Sequence, residues 1–380
     1  MTTVHLLKNG NEAFPAMFKA MDGARTCIAL EMYAVADDET GREFRSHLVA
    51  AAERGIGVMV LVDSLGSWAL PDSFWDGLRS SGGEVRWFRQ FKHGLFMFRN
   101  HRKLLLIDNH TAYIGGFNIA DEYYRGVGGE LPWRDNALEI SGDEVAPLRS
   151  SFTRMWVRAE LPIHRVIRRV KLVRIRHART VPSIPRDGVL FLESGLENPL
   201  LPVRKRYVTV IGNAATSIDL AMGYFYPPGS IMRALKRAVR RGVRVRLLFS
   251  RKSDVPMAGW AARGLYGRLL RSGIEVWEYL PTMLHAKLAI VDDTVITGSA
   301  NLDIRSGRIN YELVAVVHDP AIAGQARSDF EDDLKQSERV SLPQWRARPW
   351  IQKGKELISY WLLARADIFA ARAELARRMR

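Results

Sequence analysis

One short pattern occurs twice, and it constrains this chain more than any other feature. Residues 101–118 read HRKLLLIDNHTAYIGGFN, and residues 285–301 read HAKLAIVDDTVITGSAN. His101, Lys103, Asp108 and Asn118 of the first answer to His285, Lys287, Asp292 and Asn301 of the second. A lone H-x-K carries no information. The same pattern at equivalent places of two repeated segments implies a duplicated half-site.

The flanking chain repeats too. A strand at 26–35, a helix at 41–54 closed by Arg54-Gly55, a strand at 58–63, a helix at 72–81 and a strand at 84–88 precede the first motif. Thr216–Tyr226, a helix at 230–240 closed by Arg241-Gly242, a strand at 243–250, a helix at 259–271 and a strand at 275–279 precede the second. A basic residue followed by glycine ends a helix well. The offset drifts from 190 residues at Thr26/Thr216 through 187 at Gly55/Gly242 to 184 at His101/His285. Strand–helix–strand units in two copies predict an α/β fold of two similar halves packed face to face. The expected limits are 1–165 for the first half, 166–187 for a basic linker, 188–340 for the second half and 341–380 for a C-terminal tail.

Within each motif the facing of residues matters. Residues two apart on a strand share a face, so His101 and Lys103 present imidazole and ammonium together. Asp108 lies five residues beyond Lys103 and points away, which suits a structural hydrogen-bonding role better than contact with substrate. Asp108-Asn109-His110 signals a turn, and the returning arm brings Gly115 and Asn118 back beside Lys103 and His101. Six residues separate Asp108 from Gly115 but five separate Asp292 from Gly298, so a tighter turn is expected at 292–294. Two imidazoles, two ammoniums and two amides suit a phosphodiester. One neutral histidine attacks phosphorus; the other protonates the leaving alkoxide and then deprotonates the incoming hydroxyl. Lys103, Lys287, Asn118 and Asn301 would stabilise the charge that grows on the non-bridging oxygens. No carboxylate cluster accompanies the motif, so no cage for a hard cation is evident and neither metal nor cofactor is expected.

The chain carries 56 Lys and Arg against 41 Asp and Glu, a formal +15. That excess points to polyanionic partners, either nucleic acid or an anionic membrane. No run approaches the roughly 20 apolar residues of a membrane span, and MTTVHLLKNGNEAF lacks the charged and then apolar regions of a signal peptide. Any membrane contact is therefore expected to be peripheral. The single cysteine, Cys27, fits a reducing cytoplasm and reads as a small hydrophobe. The tail from Trp345 places Leu357, Trp361, Ala364 and Ile368 at helical spacing among basic residues. It reads either as a helix lying in a membrane interface or as one packed on the core.

The doubled H-x-K-x₄-D pattern with its glycine pair and asparagine resembles the phospholipase D superfamily, and within it the bacterial cardiolipin synthases. The similarity covers residues 4–345 and includes Leu7-Lys8-Asn9-Gly10, Trp133-Arg134-Asp135, Asn301–Ser306 and Asn310-Tyr311-Glu312. The resemblance implies two α/β/α sandwich halves forming a pseudo-dimer with the active site between them. It places His101, Lys103, Asp108, His285, Lys287 and Asp292 in the catalytic motif, with His101 as nucleophile and His285 as general acid and base. It implies Ser299 beside the phosphate, where Gly116 offers no hydroxyl. It also implies Asp135 and Glu312 behind the histidines, with Asp135 taken as the partner of His101. The activity it implies is a phosphatidyltransferase making cardiolipin from phosphatidylglycerol and a second phospholipid, at the cytoplasmic face of the membrane. Hydrolysis of phospholipid to phosphatidic acid is the first alternative. A nuclease or other phosphodiesterase is the second, and the aromatic tail argues against nucleic acid as the partner.

Overall fold

A computed structural model describes residues 2–88, 99–160, 188–195, 202–303, 306 and 310–363. The basic stretch 166–187, where the linker was expected, and residues 364–380 of the tail, with Ala364 and Ile368, lie outside the described residues.

The first half is a seven-stranded sheet in the order β1-β7-β6-β5-β2-β3-β4. Its strands are β1 (Thr3–Lys8), β2 (Cys27–Met32), β3 (Gly57–Asp63), β4 (Glu84–Phe88), β5 (Leu104–Ile107), β6 (Thr111–Gly115) and β7 (Asn136–Ser141). The second half is an eight-stranded sheet in the order β17-β12-β11-β9-β13-β14-β16-β8. It comprises β8 (Val189–Ser194), β9 (Ser217–Met222), β11 (Arg244–Ser250), β12 (Glu275–Tyr279), β13 (Lys287–Val291), β14 (Thr294–Gly298), β16 (Glu312–His318) and an added edge strand, β17 (Ser337–Arg339). A small parallel ladder joins β10 (Phe225–Tyr226) to β15 (Leu302–Asp303). Without β17 the two orders are the same. β2, β3 and β4 run parallel, as do β9, β11 and β12, and the motif hairpins attach antiparallel beside them.

Helices fill both faces of each sheet. In the first half they are α1 (Gly10–Asp22), α2 (Glu39–Glu53), the short α3 (Asp76–Ser80), α4 (Asp121–Tyr124) and α5 (Ala146–Glu160). In the second they are α6 (Pro202–Asn213), α7 (Gly229–Arg240), α8 (Pro256–Leu270) and α9 (Pro320–Lys335). After these come α10 (Leu342–Ala347) and α11 (Trp350–Trp361). Gly55 and Gly242 follow α2 and α7 with φ of 83° and 90°, a left-handed conformation that glycine adopts without penalty.

β5 reads LLLI, apolar at every position, because both its faces are buried. Leu105 and Ile107 pack outward against α1 and α2, among Phe14, Met17, Phe44 and Leu48. Leu104 and Leu106 point the other way, into a core shared with Leu288, Ile290, Val295 and Leu313 of the second sheet. Phe152 and Trp156 of α5 and Ala326 and Phe330 of α9 close that shared core. The halves therefore meet through a continuous apolar layer, and the two motif hairpins lie back to back within it.

Candidate active site between the halves

Each hairpin absorbs its length difference in the turn. Ile107 pairs with Thr111 across three turn residues, and Val291 pairs with Thr294 across two. The tighter second turn restores the register: Leu104 faces Ile114 and Ala289 faces Ile296. The closing glycines thus return beside Lys103 and Lys287.

Asp108 and Asp292 occupy those turns, at the far end of the strand. Five residues of strand put Asp108 about 16 Å of chain from Lys103. The Asp108 carboxylate accepts from the N–H groups of Arg25, Thr26 and Cys27 and from the Thr26 hydroxyl, at 2.7–3.2 Å. Asp292 does the same for Ala215, Thr216 and Ser217 at 2.6–3.0 Å. Burial works against both charges. The donors outweigh it, holding Asp108 below the usual carboxylate range and Asp292 down at about 2. The two aspartates anchor the entries to β2 and β9, at the far ends of the hairpins from His101 and His285.

The other four motif residues converge because the chain crosses between the halves. The Tyr311 carbonyl accepts from the His101 N–H at 3.0 Å, and the Tyr311 N–H donates to Arg99 O at 2.9 Å. In the mirror arrangement, the Arg134 N–H donates to Met283 O at 2.9 Å and the His285 N–H donates to Arg134 O at 2.8 Å. The residue before each acid is thereby laced to the stretch before the other half's histidine. The acid that follows belongs to the opposite histidine. His101 Nδ1 lies 3.0 Å from Ser299 O and 3.1 Å from Glu312 Oε2. His285 Nδ1 lies 2.7 Å from Asp135 Oδ2. The expected Asp135–His101 pair is thus corrected to Asp135–His285 and Glu312–His101. The Ser299 carbonyl and an ionised Glu312 or Asp135 carboxylate accept from Nδ1, which favours the Nδ1-protonated tautomer, while the Lys287 ammonium also lies 2.9 Å from His285 Nδ1 and 3.1 Å from its Nε2.

Lys103 Nζ donates to the His101 carbonyl at 2.8 Å, and Lys287 Nζ to the His285 carbonyl at 2.5 Å. Both ammoniums are buried, at 3% and 1% exposure, and burial depresses both. Lys103, with Lys287 close by, comes down to about 7. Burial and the two lysines push His101 well below its ordinary range, so that ring is neutral. His285 is lowered by burial and Lys287 against the pull of Asp135. Burial raises Glu312 to about 7 despite Lys103. An anion between the two lysines would relieve their mutual repulsion.

Three sequence expectations need adjustment. The Ser299 hydroxyl donates to Glu312 Oε2 at 2.5 Å and is fully buried, so it supports the acid behind His101. The Asn118 amide donor is turned to the Tyr123 hydroxyl at 2.8 Å, and that hydroxyl sits 3.4 Å from His285 Nδ1. Asn118 Oδ1 and Asn301 Oδ1 are both buried with no hydrogen-bond partner among the described residues. Gly116, expected only to lack a hydroxyl, has a positive reason to be glycine: an added Cβ would lie 2.2 Å from Asp135 Oδ1.

Sequence reasoning missed a charged network under His101. Asp63, at the end of β3, accepts from the Asn100 N–H at 2.7 Å, and Asn100 Nδ2 donates to Glu31 at 2.8 Å. Arg102 pairs with Glu31 at 3.2 Å and with Glu193 of β8 at 3.3 Å, and donates to the Ser151 hydroxyl at 2.6 Å. The one available signal was Arg102 itself, between His101 and Lys103, where the second motif has Ala286. Also missed were the rings around the imidazoles. Tyr33 lies 4.7 Å from His101, and Tyr123, Trp133 and Tyr224 lie 5.3, 5.8 and 6.0 Å from His285.

Residues 17–156 and 207–334 match the family described as cardiolipin synthase, PLD-like domain. The chain belongs to that family. Cardiolipin synthase A of Pseudomonas fluorescens (strain SBW25) is 34% identical over 367 residues, which cover 92% of this chain and 72% of that protein. Major cardiolipin synthase ClsA of Bacillus subtilis (strain 168) is 31% identical over 373 residues, covering 94% of this chain and 74% of the relative. Among solved structures, phosphatidylserine synthase of Haemophilus influenzae Rd KW20 superposes with a TM-score of 0.71 at 15% identity, over 97% of this chain and 94% of that one. That likeness shows the shared two-halved α/β fold.

Proposed function

We propose that this protein is a phosphatidyltransferase that makes cardiolipin through a phosphohistidine on His101. The observation that carries the reading is the crossed pairing, which backs each imidazole with the other half's carboxylate and sets two buried lysines beside them. His101 Nε2 attacks the phosphorus of a phosphatidylglycerol or another phospholipid. His285 protonates the departing headgroup alkoxide and then takes the proton of a phosphatidylglycerol hydroxyl that resolves the intermediate. Lys103 and Lys287 hold the non-bridging oxygens. Glu312 and Asp135 fix the rings and stabilise whichever imidazolium forms. The names of the relatives support cardiolipin as the product.

Peripheral attachment to an anionic membrane belongs to the same reading. Among the described residues no helix is long and apolar enough to cross a bilayer. α11 packs on α8 through its polar side: Glu356, paired with Arg348 at 2.6 Å, and Ser359 are buried. Trp350, Ile351, Leu357, Ile358 and Trp361 are left 54–80% exposed. An apolar face beside Lys353 and Lys355 suits an anionic lipid interface, at the cytoplasmic face in the compartment that Cys27 allows.

Purified protein added to phosphatidylglycerol vesicles is expected to float with them and to yield cardiolipin by mass spectrometry; the Leu357→Glu/Trp361→Glu variant is expected to stay in solution. Phosphatidic acid as sole product would make the protein a hydrolase. No product from any phospholipid donor would remove the lipid reading.

A further inference from the structure

Transfer has to outrun hydrolysis, because water fits wherever an alcohol does. The rim of the pocket on the His285 side holds a group that could make the difference. Asp254 follows β11 and is exposed, and its carboxylate accepts the hydroxyl hydrogen of Tyr224. The Tyr224 ring stands edge-on to the His285 ring, at 88° and 6.0 Å. No cationic side chain pairs with Asp254 among the described residues. Its neighbour Lys252 is engaged with Glu130 at 3.0 Å. The His101 side carries the opposite charge: the Tyr33 hydroxyl accepts from Arg99 at 3.2 Å, and Arg99 Nε is buried with no hydrogen-bond partner among the described residues. The pocket is therefore polarised, with a guanidinium beside the nucleophile and a carboxylate beside the acid–base histidine.

We propose that Asp254, held by Tyr224, is an acceptor-alcohol subsite that binds the second hydroxyl of a glycerol headgroup and so favours transfer over hydrolysis. The proposal rests on the phosphatidyl-transfer reading. In the resolving step the attacking glycerol oxygen forms the O–P bond, the P–Nε2 bond to His101 breaks, and the hydroxyl proton passes to Nε2 of His285. The attacking oxygen must therefore lie on the His285 side, within reach of the rim. A neighbouring hydroxyl on the same glycerol then donates to Asp254, an interaction water cannot make while it attacks. The walls fit a polyol: Tyr123, Trp133 and Tyr224 offer apolar faces to the carbon chain, and the free carboxylate oxygen accepts. The Lys287 ammonium stands on the same side, which favours a neutral donor at Asp254 over a second ammonium. The same subsite serves a departing glycerol in the first step.

The test supplies the full chain, on phosphatidylglycerol vesicles, with equal concentrations of deuterated glycerol and 1-propanol as competing acceptors. Mass spectrometry reads deuterated phosphatidylglycerol, phosphatidylpropanol, cardiolipin and phosphatidic acid. The wild type is expected to prefer glycerol. Asp254→Asn is expected to lower the glycerol-to-propanol ratio about tenfold, as loss of about 1.4 kcal/mol would, and to raise the share of phosphatidic acid. Tyr224→Phe should move the ratio the same way by less, and Asp254→Glu should keep most of the preference. An unchanged ratio in Asp254→Asn would overturn the proposal while leaving phosphatidyl transfer intact. If, in a parallel competition of 3-amino-1-propanol against 1-propanol, Asp254→Asn loses a preference for the amine while keeping glycerol over propanol, the site reads an ammonium and the hydroxyl proposal is wrong. If the wild type transfers to no alcohol and makes no cardiolipin, the transfer reading itself fails, and this inference with it.

Discussion

The two halves share a backbone but not the chemistry behind their histidines. Asp63 at the end of β3 receives the Asn100 N–H. Ser250 at the end of β11 receives the equivalent Leu284 N–H at 2.8 Å. Arg102 sits buried between His101 and Lys103, tied to Glu31 and Glu193. Ala286, in the same place, is part of the apolar layer. Burial raises both acids of the first half's network, Asp63 to about 6. Gly116 lies against the short Asp135, while Ser299 bonds the longer Glu312. The comparison teaches that duplication supplies a symmetric frame, and that side chains just outside the motif make its two imidazoles inequivalent.

The largest expected asymmetry concerns the histidines. His101→Ala is expected to lower transfer by about 10⁴-fold or more and to leave no phosphoenzyme detectable by intact mass. His285→Ala should lose about 10²–10⁴-fold with natural lipid, the range of a general acid. With a nitrophenyl leaving group that needs no proton, it should still accumulate the phosphoenzyme. Phosphoenzyme on His285 in place of His101 would reverse the assignment.

The network under His101 comes next. Arg102→Ala leaves Glu31 buried without its ionic partner, and chemical denaturation should show about 3–5 kcal/mol of lost stability. A methionine there, similar in length and apolar, is not asked to leave Glu31 charged if Glu31→Gln accompanies it, and the double variant should regain most of the loss. Equal stability of Arg102→Ala and wild type would mean the network contributes nothing.

The smallest effects test the pairing of small residue with acid. Gly116→Ser must displace the Asp135 carboxylate and should lower kcat about a hundredfold through His285, the low end of general acid–base catalysis. Ser299→Gly removes one charge-assisted bond to Glu312 and should cost about tenfold. The comparison is broken if the second exceeds the first.

Much of this was legible in the chain because it is local. The apolar run of β5, a glycine after a basic residue, and a turn at Asp108-Asn109 each depend on neighbours a few residues away. Strand periodicity turned Asp108 away from Lys103; in the structure Asp108 lies beyond β5, in a turn with φ of 53°, and distance keeps it from the histidines. The network of Glu31, Asp63 and Arg102 was not legible, since its members lie on three separated segments and no spacing links them. The bond from Ser299 to Glu312 was not legible for a similar reason: the two stand thirteen residues apart.

The sequence by itself determined the duplication, the α/β class of each half and the presence of two histidines and two lysines at matching places, because periodicity and motif spacing are properties of short stretches. Only the tertiary structure decided which acid serves which histidine. Each half carries one acid and one histidine, and a same-half pair satisfies the sequence as well as a crossed one. The choice is made where Arg134 is laced to Met283 and His285, and Tyr311 to Arg99 and His101. Those are backbone hydrogen bonds between halves, formed once the shared apolar layer has brought the two sheets together.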